Sequence, residues 1–314
     1  MVKDNILSIL PSHIKKMLEG VRDEQFEKME EIRLRIGQPL LVSTNNKEYG
    51  LDYGGICDLK RGYKVIEQDI SSVLKFVSGF SLYALEDEIR QGYITIEGGH
   101  RIGITGKAVI EKNNVKTLKY ISALNIRISH EVIGCSDKLL PYLLEKGRVC
   151  HTLIVSPPKC GKTTVLRDIV RNLSDGFYAY GPFTVGIVDE RSEIAGCYMG
   201  VPQNDVGMRT DVLDGCPKVE GMHMLLRSMS PHVIAVDEIG NKEDMLAIEE
   251  VLGAGVSILC TVHGMDLDDC YKKPVLKQMI DNELFERIVV LGNHPSPGAL
   301  KGIYDATNQF KTLR

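Results

Sequence analysis

A short segment in the middle of the chain has the composition of a phosphate-binding loop. Residues 156–164 read S-P-P-K-C-G-K-T-T, directly after an apolar run and directly before a helical pattern. In such a loop, backbone amides and a helix N-terminus attract a triphosphate, a lysine reaches the β- and γ-phosphates, and a hydroxyl ligates Mg²⁺. The segment predicts a site for ATP and Mg²⁺, in which Lys162 binds phosphate and Thr163 binds the metal. The predicted loop consists of Ser156, Pro157, Pro158, Lys159, Cys160, Gly161, Lys162, Thr163 and Thr164.

Two residues depart from the usual composition of this loop. Ser156 stands where the pattern G-x-x-x-x-G-K-[ST] has its first glycine. A serine fits there if its backbone torsion angles stay in the ordinary allowed regions. Lys159 adds a positive charge, which is either a further phosphate contact or a solvated side chain.

A second motif follows about 75 residues later. The run V-I-A-V-D-E, residues 233–238, is an apolar strand pattern that ends in two adjacent carboxylates. Sheets of α/β proteins bind their ligands at the carboxyl ends of the strands. We expect Asp237 to hold Mg²⁺ through water, and Glu238 to orient and deprotonate an attacking water. Because phosphoanhydride hydrolysis needs mainly positioning and charge neutralisation, the two motifs together predict ATP hydrolysis.

Two further strand ends carry polar residues. The run I-V-D-E-R-S-E at 187–193 includes Glu190, which either adds an acidic group to the metal and water or belongs to a salt-bridged strand end. The run C-T-V-H ends with His263, which either senses the γ-phosphate or is structural. The polar side chains of these two runs are Asp189, Glu190, Arg191, Glu193, Thr261 and His263.

These residues need a scaffold, and the periodicity after residue 147 supplies one. Short apolar runs rich in β-branched residues alternate there with helical patterns. Continuous apolarity is typical of strands buried on both faces. The pattern predicts an α/β domain over 148–314 with a doubly wound parallel sheet. The predicted strands are HTLIV, FTVGIVDE, VIAVDE, SILCTV and ERIVVL. The stretch from Gly196 to Pro217 is predicted to be a long loop that contains Arg209.

Residues 1–147 predict a smaller α+β domain. Helical spacing of apolar residues indicates an opening helix interrupted at Pro11, and a second helical stretch that runs through Leu82 to a C-cap at Gly92. Period-two alternation then predicts an antiparallel meander with turns at Gly98-Gly99 and Asn113-Asn114. A further helix is predicted from Gly134 to Gly147.

Composition excludes several classes of protein. The 314 residues are 43% hydrophobic and 25% charged, which is typical of a folded globular chain. The formal charge of −4 provides no global field for nucleic acid or anionic lipid, although a local basic patch is compatible with it. Eight cysteines without metal-ligand spacing predict free thiols. The absence of a signal sequence and of an apolar run near ~20 residues predicts a cytoplasmic protein that reaches membranes through partners.

The longer motifs resemble known families. The stretch LLRSMSPHVIAVDEIGNKEDMLAIEEVLGAGVSILCTVHG and the segment QNDVG resemble the hexameric ATPases of type II secretion and type IV pili. EIRLRIGQPL, GFSLYALEDEIRQGYITIEGGHRIGITGKAV, LNIRISHE and VDERSEIAG are similar to the stage III sporulation protein AA family.

This resemblance implies an ATPase on the mother-cell side of the channel complex between mother cell and forespore. It implies a RecA-like ATPase domain and rings, hexamers in the family, with ATP between the N-terminal domain of one subunit and the P-loop domain of its neighbour. Matching motif positions make Arg101, Arg127 and Arg209 candidates for an arginine that acts in trans. The same residues could instead form interface or surface salt bridges.

Two other functions remain open at this stage. One is a nucleotide-gated scaffold that binds ATP with little turnover. The other is an ATPase driven by single-stranded nucleic acid, against which stand the absence of Trp and an aromatic content of 6%.

Overall fold

The computed structural model describes residues 2–45, 47–79, 85–177, 181–307 and 311–313. The chain forms two compact units, Met1–His130 and Glu131–Arg314. The division falls earlier than the predicted boundary after residue 147. Asp168, on a helix of the second unit, accepts hydrogen bonds from the backbone amides of Gly134 at 3.0 Å and Ser136 at 2.8 Å. The segment after His130 is thereby fastened to the second unit.

Helices of the N-terminal unit follow the predicted pattern, with one difference. The opening helix is interrupted at Pro11, and its apolar side chains are buried. The stretch predicted as one helix toward Gly92 contains two helices, and Leu82 lies outside the described residues. Gly92 caps the second of these with φ 86°. The helices are α1 (Val2–Ser8), α2 (Ser12–Glu19), α3 (Asp23–Phe26), α4 (Glu67–Val77) and α5 (Glu86–Gln91), with a 3₁₀ helix at Leu59–Arg61.

An antiparallel sheet of seven strands completes the N-terminal unit. Its order is β4-β3-β2-β1-β7-β6-β5. The predicted meander corresponds to the last three strands, whereas no pattern predicted the first four. The turn between β6 and β7 lies at Lys112 and Asn113, both with positive φ, one residue before the predicted turn. The strands are β1 (Met29–Arg35), β2 (Leu41–Thr44), β3 (Lys47–Asp52), β4 (Gly55–Cys57), β5 (Tyr93–Ile96), β6 (His100–Glu111) and β7 (Asn114–Arg127).

The segment predicted as a helix from Gly134 to Gly147 is mostly not helical. It contains the four-residue helix α6 (Leu140–Leu143), followed by a hairpin of β8 (Leu144–Glu145) and β9 (Arg148–Val149). Lys146 and Gly147 turn the hairpin with φ of 51° and 81°. The four leucines that suggested a longer helix are buried, so their spacing reports burial and not helical length. The helix prediction was therefore wrong for most of this segment.

The C-terminal unit is built on an eight-stranded sheet. The order is β12-β11-β13-β14-β10-β15-β16-β17. The first six strands pair in parallel, whereas β16 pairs antiparallel with both β15 and β17. All five predicted strands are present. The predicted loop from Gly196 to Pro217 contains β12, an edge strand. The strands are β10 (Thr152–Ser156), β11 (Val185–Asp189), β12 (Thr210–Asp214), β13 (Val233–Val236), β14 (Ser257–His263), β15 (Arg287–Gly292), β16 (Ala299–Asp305) and β17 (Lys311–Thr312).

Five helices connect these strands and bury their apolar faces. None of the helices in the described parts of the chain combines the length and apolarity needed to cross a membrane. All eight cysteines are free thiols, as predicted. The helices are α7 (Lys162–Asp175), α8 (Lys218–Ser228), α9 (Lys242–Gly253), α10 (Leu267–Tyr271) and α11 (Pro274–Asp281).

Candidate active site

The predicted phosphate loop lies between β10 and the N-terminus of α7. Ser156 is buried and does not adopt a positive φ, so a serine fits here without backbone strain. Lys159 and Gly161 do adopt left-handed conformations, with φ of 60° and 77°, and turn the chain into the helix. Because Pro157 and Pro158 carry no N–H, the amides that can face an anion begin at Lys159.

Asp237 is the centre of the site. Its Oδ1 lies 2.8 Å from the Lys162 Nζ, and its Oδ2 accepts a hydrogen bond from the Thr163 hydroxyl at 2.7 Å. The Thr261 hydroxyl, from β14, also donates to Asp237 Oδ1. Burial raises the pKa of Asp237, but the Lys162 ammonium and the three hydrogen bonds outweigh burial and hold this pKa below its usual range. The carboxylate is therefore kept ionised by side chains from the start of α7 and from β14.

Glu238 follows Asp237 in a left-handed conformation with φ 58°. This conformation is costly for a non-glycine residue and is typical of functional sites. The Glu238 amide donates to the Thr261 hydroxyl at 2.9 Å, and the Glu238 carbonyl accepts from Lys218 Nζ at 2.8 Å. The carboxylate itself lies 2.9 Å from Arg191 Nη1 and 3.4 Å from His263 Nε2.

A cavity of about 20 Å³ adjoins the two carboxylates of Asp237 and Glu238. Lys218 and Glu190 also line it. A site of this size with several polar neighbours can hold a single water molecule. The arrangement thus offers a place for a water beside a carboxylate that could accept its proton.

The two acidic residues at the carboxyl end of β11 have different roles. Asp189 is buried, and its carboxylate accepts the backbone amides of Glu193, Ile194 and Ala195 at 2.8, 3.0 and 2.8 Å. Burial raises the pKa of Asp189 despite these bonds. Glu190 points to the cavity and pairs with Lys218 at 3.5 Å. The structure thus brings Glu190 to the site and makes Asp189 the anchor of its own turn.

His263 ends β14 beside Glu238, at the position that the sequence predicted for a sensor. Its Nδ1 atom is buried and has no hydrogen-bond partner among the described residues. Lys273 donates to its backbone carbonyl and fixes the end of the strand. One ring nitrogen therefore faces Glu238, and the other is left available for a change of partner.

The three candidate arginines lie in two different places. Arg101 and Arg127 are opposite each other on β6 and β7 of the N-terminal unit. The Arg101 guanidinium lies 4.6 Å from the centre of the Tyr93 ring, and Arg127 is exposed, with its Nε 3.9 Å from Glu31. Arg209 donates to the Ser174 carbonyl at 3.1 Å. Ser174 is near the C-terminus of α7, about 20 Å from the phosphate loop at 1.5 Å per residue. The structure does not bring Arg209 to the loop of its own chain.

Sequence reasoning missed two contributors to the site. Lys218 begins α8 and reaches both Glu190 and the Glu238 carbonyl. Gly298, in the connection between β15 and β16, lies so close to Gly161 that a Cβ on Gly161 would be 3.3 Å from the Gly298 amide nitrogen. Lys218 ends the segment VPQNDVGMRTDVLDGCPK, which resembles the family, but no role was predicted for it, and Gly298 belongs to no motif. The helical spacing of Met222, Leu225, Leu226 and Met229 predicted the helix that Lys218 begins, but not the contacts of the lysine.

The donor set fits a magnesium nucleotide. Mg²⁺ is usually bound by one or two carboxylates together with phosphates, and not by an all-protein cage. Accordingly, no cluster of three or more His, Cys, Asp or Glu that could hold a metal occurs among the described residues. Asp237 and Thr163 supply hard oxygen atoms, while Lys162 and the amides at the start of α7 supply positive charge for phosphate.

Comparisons with known proteins identify relatives of the chain. The family model described as Sporulation stage III, protein AA, matches residues 1–310. The stage III sporulation protein AA of Bacillus subtilis (strain 168) is 42% identical over 302 residues, which are 96% of this chain and 95% of that protein.

Two solved structures resemble the chain in fold. The X-ray structure of the Legionella pneumophila ATPase DotB has a TM-score of 0.57 at 12% identity and covers 88% of this chain and 74% of its own. The crystal structure of the pilus retraction motor PilT with bound ADP has a TM-score of 0.57 at 16% identity. The match covers 91% of this chain and 77% of the PilT chain. At these identities, the likeness establishes a shared mixed α/β fold.

Proposed function

The chain belongs to the sporulation stage III protein AA family, and from that membership we propose that it is a Mg²⁺-dependent ATPase of the secretion-ATPase type. Its C-terminal unit would be a RecA-like P-loop domain. The fold that it shares with the ATPase DotB and the motor PilT supports this class. Its own residues supply the more specific support.

One observation carries the proposal. The Asp237 carboxylate joins Lys162, Thr163 and Thr261, so the phosphate loop and two strand ends meet at one ionised group. In this proposal, Lys162 and the amides from Lys159 onward would hold the phosphates, Thr163 would ligate the metal, and Asp237 would hold the metal through water. Mg²⁺ when bound neutralises phosphate charge. The Lys162 ammonium then moves its partnership from Asp237 to a phosphate oxygen.

Glu238 is the proposed base. Its carboxylate borders the water-sized cavity and can accept a proton from a water held there. Glu190 and Lys218 line the same space and orient the water through hydrogen bonds. His263 senses the reaction through its contact with Glu238, because any movement of that carboxylate changes the partner of the His263 Nε2.

We further propose that the protein works as a ring of six subunits, with Arg101 and Arg127 of one subunit acting at the phosphate loop of its neighbour. Their adjacent positions on β6 and β7 would deliver two guanidinium groups together. Such groups stabilise charge that develops during phosphoryl transfer. Arg209 is the third candidate, and its distance from its own loop allows it only a role at a neighbouring subunit.

The proposed setting is the mother-cell cytoplasm, at the membrane through partner proteins of the channel complex. The name of the Bacillus subtilis relative supports a role in sporulation. A direct role for nucleic acid is not proposed, since the chain has a net negative charge and few aromatic residues.

The test is ATP hydrolysis as a function of protein concentration, with the mass of the assembly measured in the same samples. Wild type is compared with Glu238→Gln, and Glu243→Gln on the exposed start of α9 is the matched control. We expect turnover to rise as rings form and to vanish only in Glu238→Gln. Equal specific activity of dilute monomer and ring would exclude a trans arginine.

A nucleotide-gated scaffold is the second candidate, and two contacts of Glu238 favour it. The Glu238 carboxylate is paired with Arg191 and His263, which is a restrained position for a base. Under this alternative, Glu238→Gln would complement a deletion in sporulating cells as well as wild type does. An ATPase predicts failure of complementation.

A further inference from the structure

The distal halves of β6 and β7 form a two-stranded arm, residues 105–121. β5 pairs with β6 only as far as Gly103, and β1 pairs with β7 only from Ala123 onward. Within the described residues, the arm is paired only with itself and ends in the turn at Lys112 and Asn113. Leu118 and Ile121 of the arm pack against the core of the N-terminal unit, and its exposed residues are available for another contact.

Charge is concentrated on this arm. It carries four lysines against one glutamate, a formal net charge of +3 in a chain of net −4, so the remaining residues carry −7. Lys116 pairs with Glu111 at 2.8 Å. No carboxylate of the described residues lies within ion-pair distance of Lys107, Lys112 or Lys119, all of which are exposed.

Tyr120 is the unusual residue of the arm. Its φ is 48°, and 81% of its surface is exposed. A left-handed conformation is unfavourable for a bulky residue, and glycine or asparagine would adopt it at lower cost. The opposite strand accommodates the kink with Gly106, where a Cβ would lie 2.7 Å from the Lys119 carbonyl oxygen. The fold accepts this strain without burying the ring.

Protection of a sheet edge does not explain the arm. Exposed lysines on edge strands do prevent pairing with other chains. However, the arm also exposes Ile110 by 59%, Val115 by 39% and the Tyr120 ring. Apolar side chains on an unpaired edge promote aggregation, so protection accounts for the lysines alone.

The residue types distinguish among possible partners. Protein interfaces are depleted in lysine and enriched in arginine, and the arm has four lysines and no arginine. Single-stranded nucleic acid is bound by series of stacking aromatic rings, and the arm has one. Lysines combined with aliphatic side chains and a tyrosine suit the interface of an anionic bilayer, where the charges meet headgroups and the ring lies at their depth.

We propose that the arm binds the surface of an anionic phospholipid bilayer, with Lys107, Lys112 and Lys119 against the headgroups and Tyr120, Ile110 and Val115 inserted at the interface. This contact needs neither nucleotide nor a partner protein. It would hold the N-terminal unit at a membrane directly.

The first experiment measures co-sedimentation of the full-length protein with vesicles of phosphatidylglycerol and phosphatidylcholine, or of phosphatidylcholine alone, without nucleotide. We expect binding only to the anionic vesicles, with an affinity that falls with salt. Lys107→Gln with Lys119→Gln should weaken binding about 25-fold, since each lysine contributes roughly fivefold. Lys60→Gln with Lys64→Gln removes two exposed lysines elsewhere in the same unit and should leave binding unchanged.

The variant Tyr120→Asn removes the aromatic ring but keeps a residue that tolerates the backbone conformation, so it tests the ring alone. Asparagine tolerates the left-handed conformation, so this variant should fold at least as stably as wild type while binding vesicles several-fold more weakly. Because the chain contains no tryptophan, Tyr120→Trp adds a single indole whose emission should shift to shorter wavelength with anionic vesicles. Tyr53→Trp, at a residue exposed by 69% in the turn between β3 and β4, should show no shift.

Three results would overturn the proposal. Wild type that does not bind anionic vesicles removes it directly. Equal weakening by the arm and control lysine variants would mean that charge acts without the arm. Arm variants that change the mass of the assembly while vesicle binding stays intact would reassign the arm to a contact between subunits.

Discussion

Asp189 and Asp237 lie at the carboxyl ends of the neighbouring strands β11 and β13, yet their pKa values are shifted in opposite directions. Asp189 accepts three backbone amides of its own turn, and burial raises its pKa. Asp237 accepts hydrogen bonds from Lys162 and from two hydroxyl groups, and its pKa is lowered. Backbone amides cannot leave without unfolding the turn, whereas side chains can exchange one partner for another. Identical residues at one edge of a sheet therefore differ in role according to which kind of group surrounds them.

Lys162→Ala should have the largest effect, because it removes the charge that distinguishes Asp237. ATP affinity should fall by about 3 kcal/mol, roughly a hundredfold in Kd, through loss of a buried charged contact. Equilibrium titration with ATP measures it, and Lys272→Ala, at an exposed lysine that follows α10, is the control. Unchanged affinity in Lys162→Ala would remove the assignment of the phosphate loop.

Asp189→Ala should act on folding and not on the ligand. Three buried amides lose their acceptor, which should lower the free energy of unfolding by about 2 kcal/mol. Urea denaturation measures this loss, and Asp211→Ala on the exposed face of β12 should cost little. If Asp189→Ala weakened nucleotide binding at unchanged stability, the distinction between the two aspartates would fail.

Thr261→Val should have a smaller effect on the same centre. The hydroxyl donates to Asp237 and accepts the Glu238 amide, so its loss should lower the free energy of unfolding by about 1 kcal/mol. Thr261→Ser keeps the hydroxyl and should restore most of the stability. Valine and serine variants of equal stability would show that the hydroxyl contributes nothing.

The smallest expected effect is on the pH dependence of stability, where the two aspartates should differ in sign. The stability that Asp237 contributes is present above its unfolded-state pKa of about 3.9 and is lost as pH falls through its lowered folded-state pKa. For Asp189 the pKa is raised, so its contribution declines as pH rises above about 3.9 through the folded-state pKa.

Urea denaturation of wild type, Asp237→Asn and Asp189→Asn across acidic pH gives both contributions as differences. We expect the difference for Asp237 to increase with pH and that for Asp189 to decrease. The same sign for both would mean that backbone and side-chain partners act alike.

Strong local signals made part of the molecule predictable. The strand before the phosphate loop is apolar and β-branched, all its residues are buried, and a glycine and lysine follow at fixed spacing. β1 lacked such a signal, because M-E-E-I-R-L-R alternates only weakly and exposes just its last residue fully. The leucines of 139–144 led to the prediction of a helix that is mostly absent. Leucine is favoured at buried positions of hairpins and helices alike, so these residues did not distinguish the two.

The sequence by itself determined which groups were available: a phosphate loop, acidic strand ends and a Thr-x-His segment. The motifs also indicated Asp237 as the aspartate of the site, but only the tertiary structure decided that it meets Lys162 directly while Asp189 does not. Along the chain β11 follows β10, but in the sheet β14 and β13 lie between them. At about 4.8 Å per strand, Asp189 is roughly 14 Å from the phosphate-loop strand and Asp237 roughly 10 Å. A lysine side chain at the start of α7 reaches the nearer one, which leaves the farther one to the amides of its own turn.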